Sequence, residues 1–163
     1  MKKMYWILGA VAIGLIVAVG AVIFGLARAS SQTPHRSELK LGVTDGQLTE
    51  CPDSPNCVST HASPEDETHY AEPISYSGER AAVRERVLSH LREKPRTDII
   101  TNDEDYIHAE VRSRIFRFVD DLELYFPDEQ KVVHLRSASR VGEGDMGVNR
   151  KRYEEMKAVI RRE

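Results

Sequence analysis

The sequence predicts an α+β fold: a single antiparallel sheet of about five strands, two helices on one face of it, and one N-terminal transmembrane helix ahead of it. Three observations lead there. A charge-free apolar run extends from Met4 to Ala27. Four strand-like runs succeed one another between residues 97 and 138, separated by short polar joints. Two stretches with apolar residues at helical spacing, one near residue 85 and one near residue 155, bracket those strands.

The apolar run comes first. Its roughly 24 residues, at 1.5 Å rise each, would reach about 36 Å as a helix, against a hydrocarbon core of about 30 Å. Lys2 and Lys3 precede it, and Tyr5 and Trp6 sit where amphipathic rings favour a membrane interface. The expected topology is a single-pass anchor in the cell (inner) membrane, N-terminus cytoplasmic, C-terminal domain extracytoplasmic. The small-x-small spacing of Ala27-Arg28-Ala29 leaves a cleaved signal as the alternative, although the run exceeds the 7–15 residues of a signal core. This divides the chain into an anchor (1–29), a linker (30–50) and an exported α+β domain (51–163). Without Lys2 and Lys3, 21 basic residues face 26 acidic ones, a formal charge of −5. So acidic a surface argues against nucleic acid as a partner, because phosphate recognition needs a basic face.

From Ser30 to Thr49 the chain is polar, with Pro34, Gly42 and Gly46, and reads as a tether. Leu39, Leu41, Val43 and Leu48 are its residues able to dock on the domain. Cys51 to Asp66 reads as a Pro-, Ser- and Asp-rich loop pinned by the two cysteines of the chain, Cys51 and Cys57. In an exported domain a structural disulfide is the leading reading for this pair. A metal site drawing on Cys51, Cys57, His61 and His69 is the sharper alternative, although its spacing fits no standard finger.

Tyr70–Tyr76 is expected as a short edge strand broken by Pro73. Ser77 is placed to cap a helix over Glu79–Glu93, whose stripe is Ala82, Val83, Val87, Leu88 and Leu91. Strands follow at Thr97–Thr101, Tyr106–Arg114, Phe118–Phe126 and Val132–Ala138, with turns at Asn102–Asp105 and Pro127–Gln130. A last helix, capped by Asn149, would bury Tyr153, Met156, Val159 and Ile160. The order β-α-β-β-β-β-α with short joints is that of TATA-binding-protein-like folds, an analogy of shape only.

Strand alternation points to the chemistry. With the apolar sets turned to the helices, His108, Glu110, Arg112, Asp121, Glu123, His134 and Arg136 share the opposite face. The face is either a lattice of cross-strand charge pairs or a platform for a small anionic or zwitterionic ligand, with arginines as bidentate donors. Asp120 and Asp121 are neighbours on one strand and point to opposite faces, so they form no proton-sharing pair. Gly142-Glu-Gly-Asp-Met-Gly147 matches GxGxxG, yet Glu143 and Asp145 would repel a pyrophosphate and no parallel strand returns after it. A nest of loop amides with Arg140 and Arg150 is the milder anion-binding reading. No cofactor is implied and no catalytic residue can be named.

Cys51–Ser59 (CPDSPNCVS), Ser113–Glu123 (SRIFRFVDDLE) and Arg136–Arg152 (RSASRVGEGDMGVNRKR) resemble the motifs of domain-of-unknown-function family 1499 (DUF1499). The likeness covers about Leu41 to Ile160, departing at Glu143-Gly144, where an aromatic-Ser pair is expected. It implies an extracytoplasmic or lumenal domain and carries over no catalytic residues. The resulting expectation is a membrane-anchored domain that binds a small polar or anionic ligand, or an envelope partner, through Arg112, Arg114, Asp121, Glu123, Arg136, Arg140, Asp145, Asn149 and Arg150. An enzyme of hydrolase type using Asp121 or Asp145, and metal handling through Cys51, Cys57 and His61, are the alternatives. Oligomeric state is left open.

Overall fold

The computed structural model describes the backbone of residues 2–31 and 33–162, with side chains at 11–25, 28 and 33–162. Helix α1 (Lys2–Ser31) occupies the apolar run, and its side chains from Val11 to Phe24 stand exposed. Among the described residues, however, no helix is long and apolar enough to cross a membrane. The consecutive side chains described, 11–25, rise only about 22 Å, short of the roughly 30 Å hydrocarbon core. The transmembrane element of the expected fold is therefore corrected. The rest of the predicted span, at 4–10 and 26–27, lies outside the described side chains.

The expected single sheet of about five strands is also corrected. The main sheet has six strands and a separate two-stranded sheet lies beside it. The small sheet is a hairpin of β1 (Val43–Thr44) and β2 (Gln47–Leu48), turned by Asp45 and Gly46. Both turn residues have positive φ, 52° and 75°, as a two-residue hairpin loop of primed type requires. The main sheet comprises β3 (Cys57–Ser59), β4 (Ile74–Ser75), β5 (Thr97–Asn102), β6 (Tyr106–Arg112), β7 (Val119–Tyr125) and β8 (Val132–Ser139). Its order is β3-β8-β7-β6-β5, all antiparallel, and β4 pairs with the other end of β8. The strand expected over 70–76 shrinks to β4, while Tyr70 makes one parallel bridge to Ser59.

Helices α2 (Arg80–Glu93) and α3 (Val148–Ile160) pack on one face of this sheet, as expected. The core lies between them: Val83, Val87, Leu88 and Leu91 of α2 and Tyr153, Met156, Val159 and Ile160 of α3 meet Ile107, Ala109, Leu122, Leu124, Val133 and Leu135. Both predicted caps are corrected. Glu79, with no side-chain cap bond, precedes α2 in place of Ser77, because Gly78 at φ +83° turns the chain between them. Gly147, in the left-handed region, precedes α3, and Asn149 is buried inside its first turn. The side chain of Asp145 takes over the cap, accepting from the amides of Gly147 (2.9 Å) and Asn149 (2.6 Å).

Cys51 and Cys57 form a disulfide, with Cα atoms 5.7 Å apart. Cys57 is the first residue of β3, facing Ala138, so the bridge clips the short edge strand to the loop before it. With both sulfurs bonded, Cys51 and Cys57 offer no thiolates, which removes the metal-handling alternative built on them and His61. Replacing both cysteines with Ala is expected to lower unfolding free energy by about 2 kcal/mol, the loop-closure value for so short a ring. Urea melts of the native chain with and without reductant check it; coincident melts would make the bridge incidental.

Candidate functional site

The polar faces of β6, β7 and β8 come into register as the alternation predicts. Across β6 and β7, Glu110 lies opposite Asp121 and His108 opposite Glu123; across β7 and β8, Glu123 lies opposite Arg136. Two carboxylates facing each other would repel, and Arg140, just past β8, resolves this. Its Nε and Nη2 donate to Asp121 Oδ2 (2.8 Å) and Oδ1 (2.7 Å), while Nη2 also reaches Glu110 Oε1 (2.6 Å). His108 Nε2 donates to Asp121 Oδ1 at 2.8 Å. Arg136 Nη1 donates to Glu123 Oε2 (2.9 Å), and Tyr106 donates its hydroxyl proton to Glu123 Oε1 (2.7 Å). Arg112 reaches Glu110 Oε2 (2.6 Å) and also pairs with Asp98.

This face is not solvated. His108, Glu110, Asp121, Glu123 and Arg136 are all buried. The cover is the segment ahead of Cys51, which lies along the sheet as a strap. Gly42 N–H donates to Glu123 Oε1 (2.7 Å), Arg36 makes two bonds to Glu110 Oε1 (2.8 and 2.9 Å), and Arg140 Nη1 reaches the Pro34 carbonyl (3.5 Å). Leu48 is buried beneath the β1–β2 hairpin. Burial alone would raise the carboxyl pKa of Asp121; the Arg140 and His108 hydrogen bonds outweigh it and hold it below its ordinary value. Glu110 is likewise lowered, burial being outweighed by Arg140 and Arg36. The bonds to Asp121, above all, raise Arg140. Burial, then the Glu123 charge, raises the Tyr106 hydroxyl. All four directions describe fixed ion pairs and a phenol that stays protonated.

Among the described residues, one donor of these clusters is left over; the other buried donor without a partner, Arg84 Nε, lies on α2. Arg136 Nε is buried without a partner, and Arg136 forms part of the wall of a cleft of about 340 Å³ between strap and sheet. Asp121, Arg140 and Ala138 line the sheet side of this cleft, and Lys40, Leu41, Glu50 and the Cys51 disulfide line the strap side.

The same strap is held by an imidazole pair. The rings of His61 and His134 stack with centroids 3.9 Å apart, and Leu48 N–H donates to His61 Nδ1 at 3.1 Å. His134 Nδ1 lies 3.2 Å from the Thr60 hydroxyl. Burial, then the charge of His61, lowers His134 to about 4 from 6.5. Burial lowers His61.

The remaining candidates are elsewhere. Asn149 Nδ2 donates to the Asn56 carbonyl (2.7 Å), Ser137 donates to Asn149 Oδ1 (2.6 Å), and Asn56 Nδ2 donates to the Gly142 carbonyl (2.5 Å). This buried knot ties the disulfide loop to α3 and β8. Since Asp145 occupies the loop amides, the anion nest expected with Arg140 and Arg150 is already filled. Arg150 turns away to the carbonyls of Tyr70 (2.6 Å) and Thr68 (3.1 Å). Arg114 sits on the exposed β6–β7 turn, outside the strand assigned to it. Asp120 pairs with Arg152 (2.8 Å) on the helix face, opposite Asp121 as alternation requires. Of the nine candidates, the structure thus gathers Arg112, Asp121 and Arg140 into one network and Glu123 with Arg136 into a second on the same sheet face, and places the other four elsewhere. Tyr106, Arg36 and Asn56 belong to these networks without having been singled out; Asn56 lay in view, within the Cys51–Cys57 motif.

Two outcomes are expected. Arg136→Met strands the Glu123 carboxylate and should cost about 3–5 kcal/mol in denaturant melts, while Arg136→Met with Glu123→Gln recovers a large part. Equal cost for the single and double variants would mean that Arg136 acts by packing. For His134 the folded pKa is the depressed one, so stability is full above 6.5 and declines as pH falls toward about 4. His134→Gln should flatten that part of a stability–pH profile, leaving the steeper carboxylate-driven loss at lower pH.

No curated protein and no solved structure is detectably similar to the chain. The model of one family does match, over residues 47–160, from the strap hairpin to the last turn of α3 and through all three motifs. The chain belongs to the family described as protein of unknown function, DUF1499.

Proposed function

We propose that this domain binds a small anionic or zwitterionic molecule in the cleft between strap and sheet, in an extracytoplasmic, non-reducing space. The unpartnered Nε–H of Arg136 carries the reading. A buried donor without an acceptor costs about 1–3 kcal/mol, and a ligand oxygen would recover it. Lys40, exposed at the rim, adds a second cation, and Glu50 offers a carboxylate to an ammonium group. The roles follow from the geometry: Arg136 receives an anionic oxygen, Lys40 supplies long-range attraction, and Glu50 selects zwitterions. Arg140 and Asp121 hold the wall, their hydrogen bonds already committed to each other. The bridged cysteines support the compartment, since a cytosolic glutathione pool keeps such pairs reduced.

Ligand binding is tested by thermal melts of the full chain with millimolar acetate, inorganic phosphate, glycine or glutamate, against sodium chloride at equal ionic strength. A ligand at 100 times its Kd should stabilise by about 2.7 kcal/mol. Lys40→Ala should weaken the effect of every anion, and Glu50→Gln only that of the zwitterions. If none of the four raises the melt above the salt control, the cleft is a packing gap. The compartment is tested by alkylating whole cells with a maleimide before and after reduction: the cysteines should react only after reduction.

A further inference from the structure

The two ends of the sheet differ in chemistry. One end carries the β5–β6 turn with Asp103, Glu104 and Asp105 and the β7–β8 turn with Asp128 and Glu129, of which Glu104 and Asp128 pair with Arg80. The other is formed where β5 starts, β6 ends, β7 starts and β8 ends, because Thr97 pairs with Val111, Arg112 with Val119, and Arg140 N–H donates to the Val119 carbonyl at 3.0 Å. At this second end, Arg96, Arg114, Arg117 and Lys151 have no carboxylate partner among the described residues. The same end exposes apolar side chains. Ile115 on the β6–β7 turn is 77% exposed, Met146 on the β8–α3 loop is fully exposed, and Val148 is 45% exposed. Among the described residues these are the large exposed apolar side chains outside α1.

Two further observations converge here. The Pro34 carbonyl rests on Arg140, so the strap begins at this end, three residues after the exposed apolar helix α1 closes at Ser31. A cleft of about 290 Å³ also lies at this end, lined by apolar Leu91, Val111 and Met156, by Arg96 and Lys151, and by Lys94 paired with Glu155.

We infer that this end of the domain rests on an anionic lipid surface. Ile115 and Met146 enter the headgroup region, Arg114 and Arg117 neutralise lipid phosphates, and Arg96 and Lys151 at the cleft face the same lipids. Apolar tips flanked by unpaired cations fit such a surface, where each arginine contributes through the negative surface potential and each apolar side chain through its burial. The acidic turns at the far end then point away from the membrane, as repulsion from the same lipids requires. The surface is independent of the strap cleft and does not need α1 to span a bilayer.

The full chain contains one tryptophan, Trp6, which makes a clean reporter possible. In a Trp6→Phe background, Ile115→Trp and Glu104→Trp report on the two ends. With phosphatidylglycerol vesicles, the reporter at position 115 should shift to shorter wavelength and be quenched by brominated acyl chains, and the one at 104 should do neither. Adding Arg114→Gln and Arg117→Gln, which removes the two charges without reversing them, should weaken that shift in lipid titrations about 25-fold, roughly fivefold per cation. Phosphatidylcholine vesicles should give a markedly smaller shift. A reporter at 115 that keeps solvent-like emission on phosphatidylglycerol vesicles overturns the inference, as does equal quenching at 115 and 104. So does shielding of position 115 by a protein extract but not by lipid, which would make this end a protein contact.

Discussion

The fold depends on burying charge without isolating it. Three carboxylates, Glu110, Asp121 and Glu123, stand on the middle strands of a sheet whose other face is already committed to the helices. Arg136 and Arg140 neutralise them, and both arginines come from β8 or the residue just beyond it. Such pairs add little net stability over apolar packing, since desolvation offsets most of the attraction. They contribute specificity: a one-residue slip of β8 would bring Ser137 and Ser139 to the carboxylates and send the arginine at 136 into the apolar core. The register of β8 against β7 is thereby the arrangement that leaves no buried carboxylate unpaired.

The strap follows from the same constraint. A sheet face made of ion pairs can be left in water, but here it is roofed, and a roof must satisfy what it covers. The strap does so with a backbone amide, Gly42, on Glu123, and with the guanidinium of Arg36 on Glu110. Its hairpin is fastened by Leu48 through His61. What the roof does not satisfy is Arg136 Nε, and Arg136 is also among the residues lining the cleft between strap and sheet.

The middle of the fold was legible because its signal is periodic and local. Alternation in Tyr106–Arg112 and Val119–Tyr125 sorted side chains to the right faces, and the stripe Val83, Val87, Leu88, Leu91 placed α2. The edges were not. β3 is three residues long and all buried, so it shows no alternation, and it sits between prolines and histidines that read as a loop. The β1–β2 hairpin did carry a signal, Asp45-Gly46 between Val43-Thr44 and Gln47-Leu48, obscured by the polar composition around it. The caps failed for a tertiary reason: Asn149 is drawn inward by Asn56 and Ser137, partners more than ten residues away in sequence. The candidate site was half legible for the same reasons. Face membership followed from alternation, whereas the roof over it depends on long-range contacts such as Arg36 with Glu110.

The disulfide joins cysteines six positions apart, while the strand it anchors pairs with β8 roughly eighty residues further along. A ring that small closes on an otherwise shapeless chain at little entropic cost. During synthesis, which runs from the N-terminus, Cys51 and Cys57 are both present long before Ala138 exists to receive β3. Wherever the chain meets an oxidant during synthesis, this ring can close before β8 exists to pair with the edge strand.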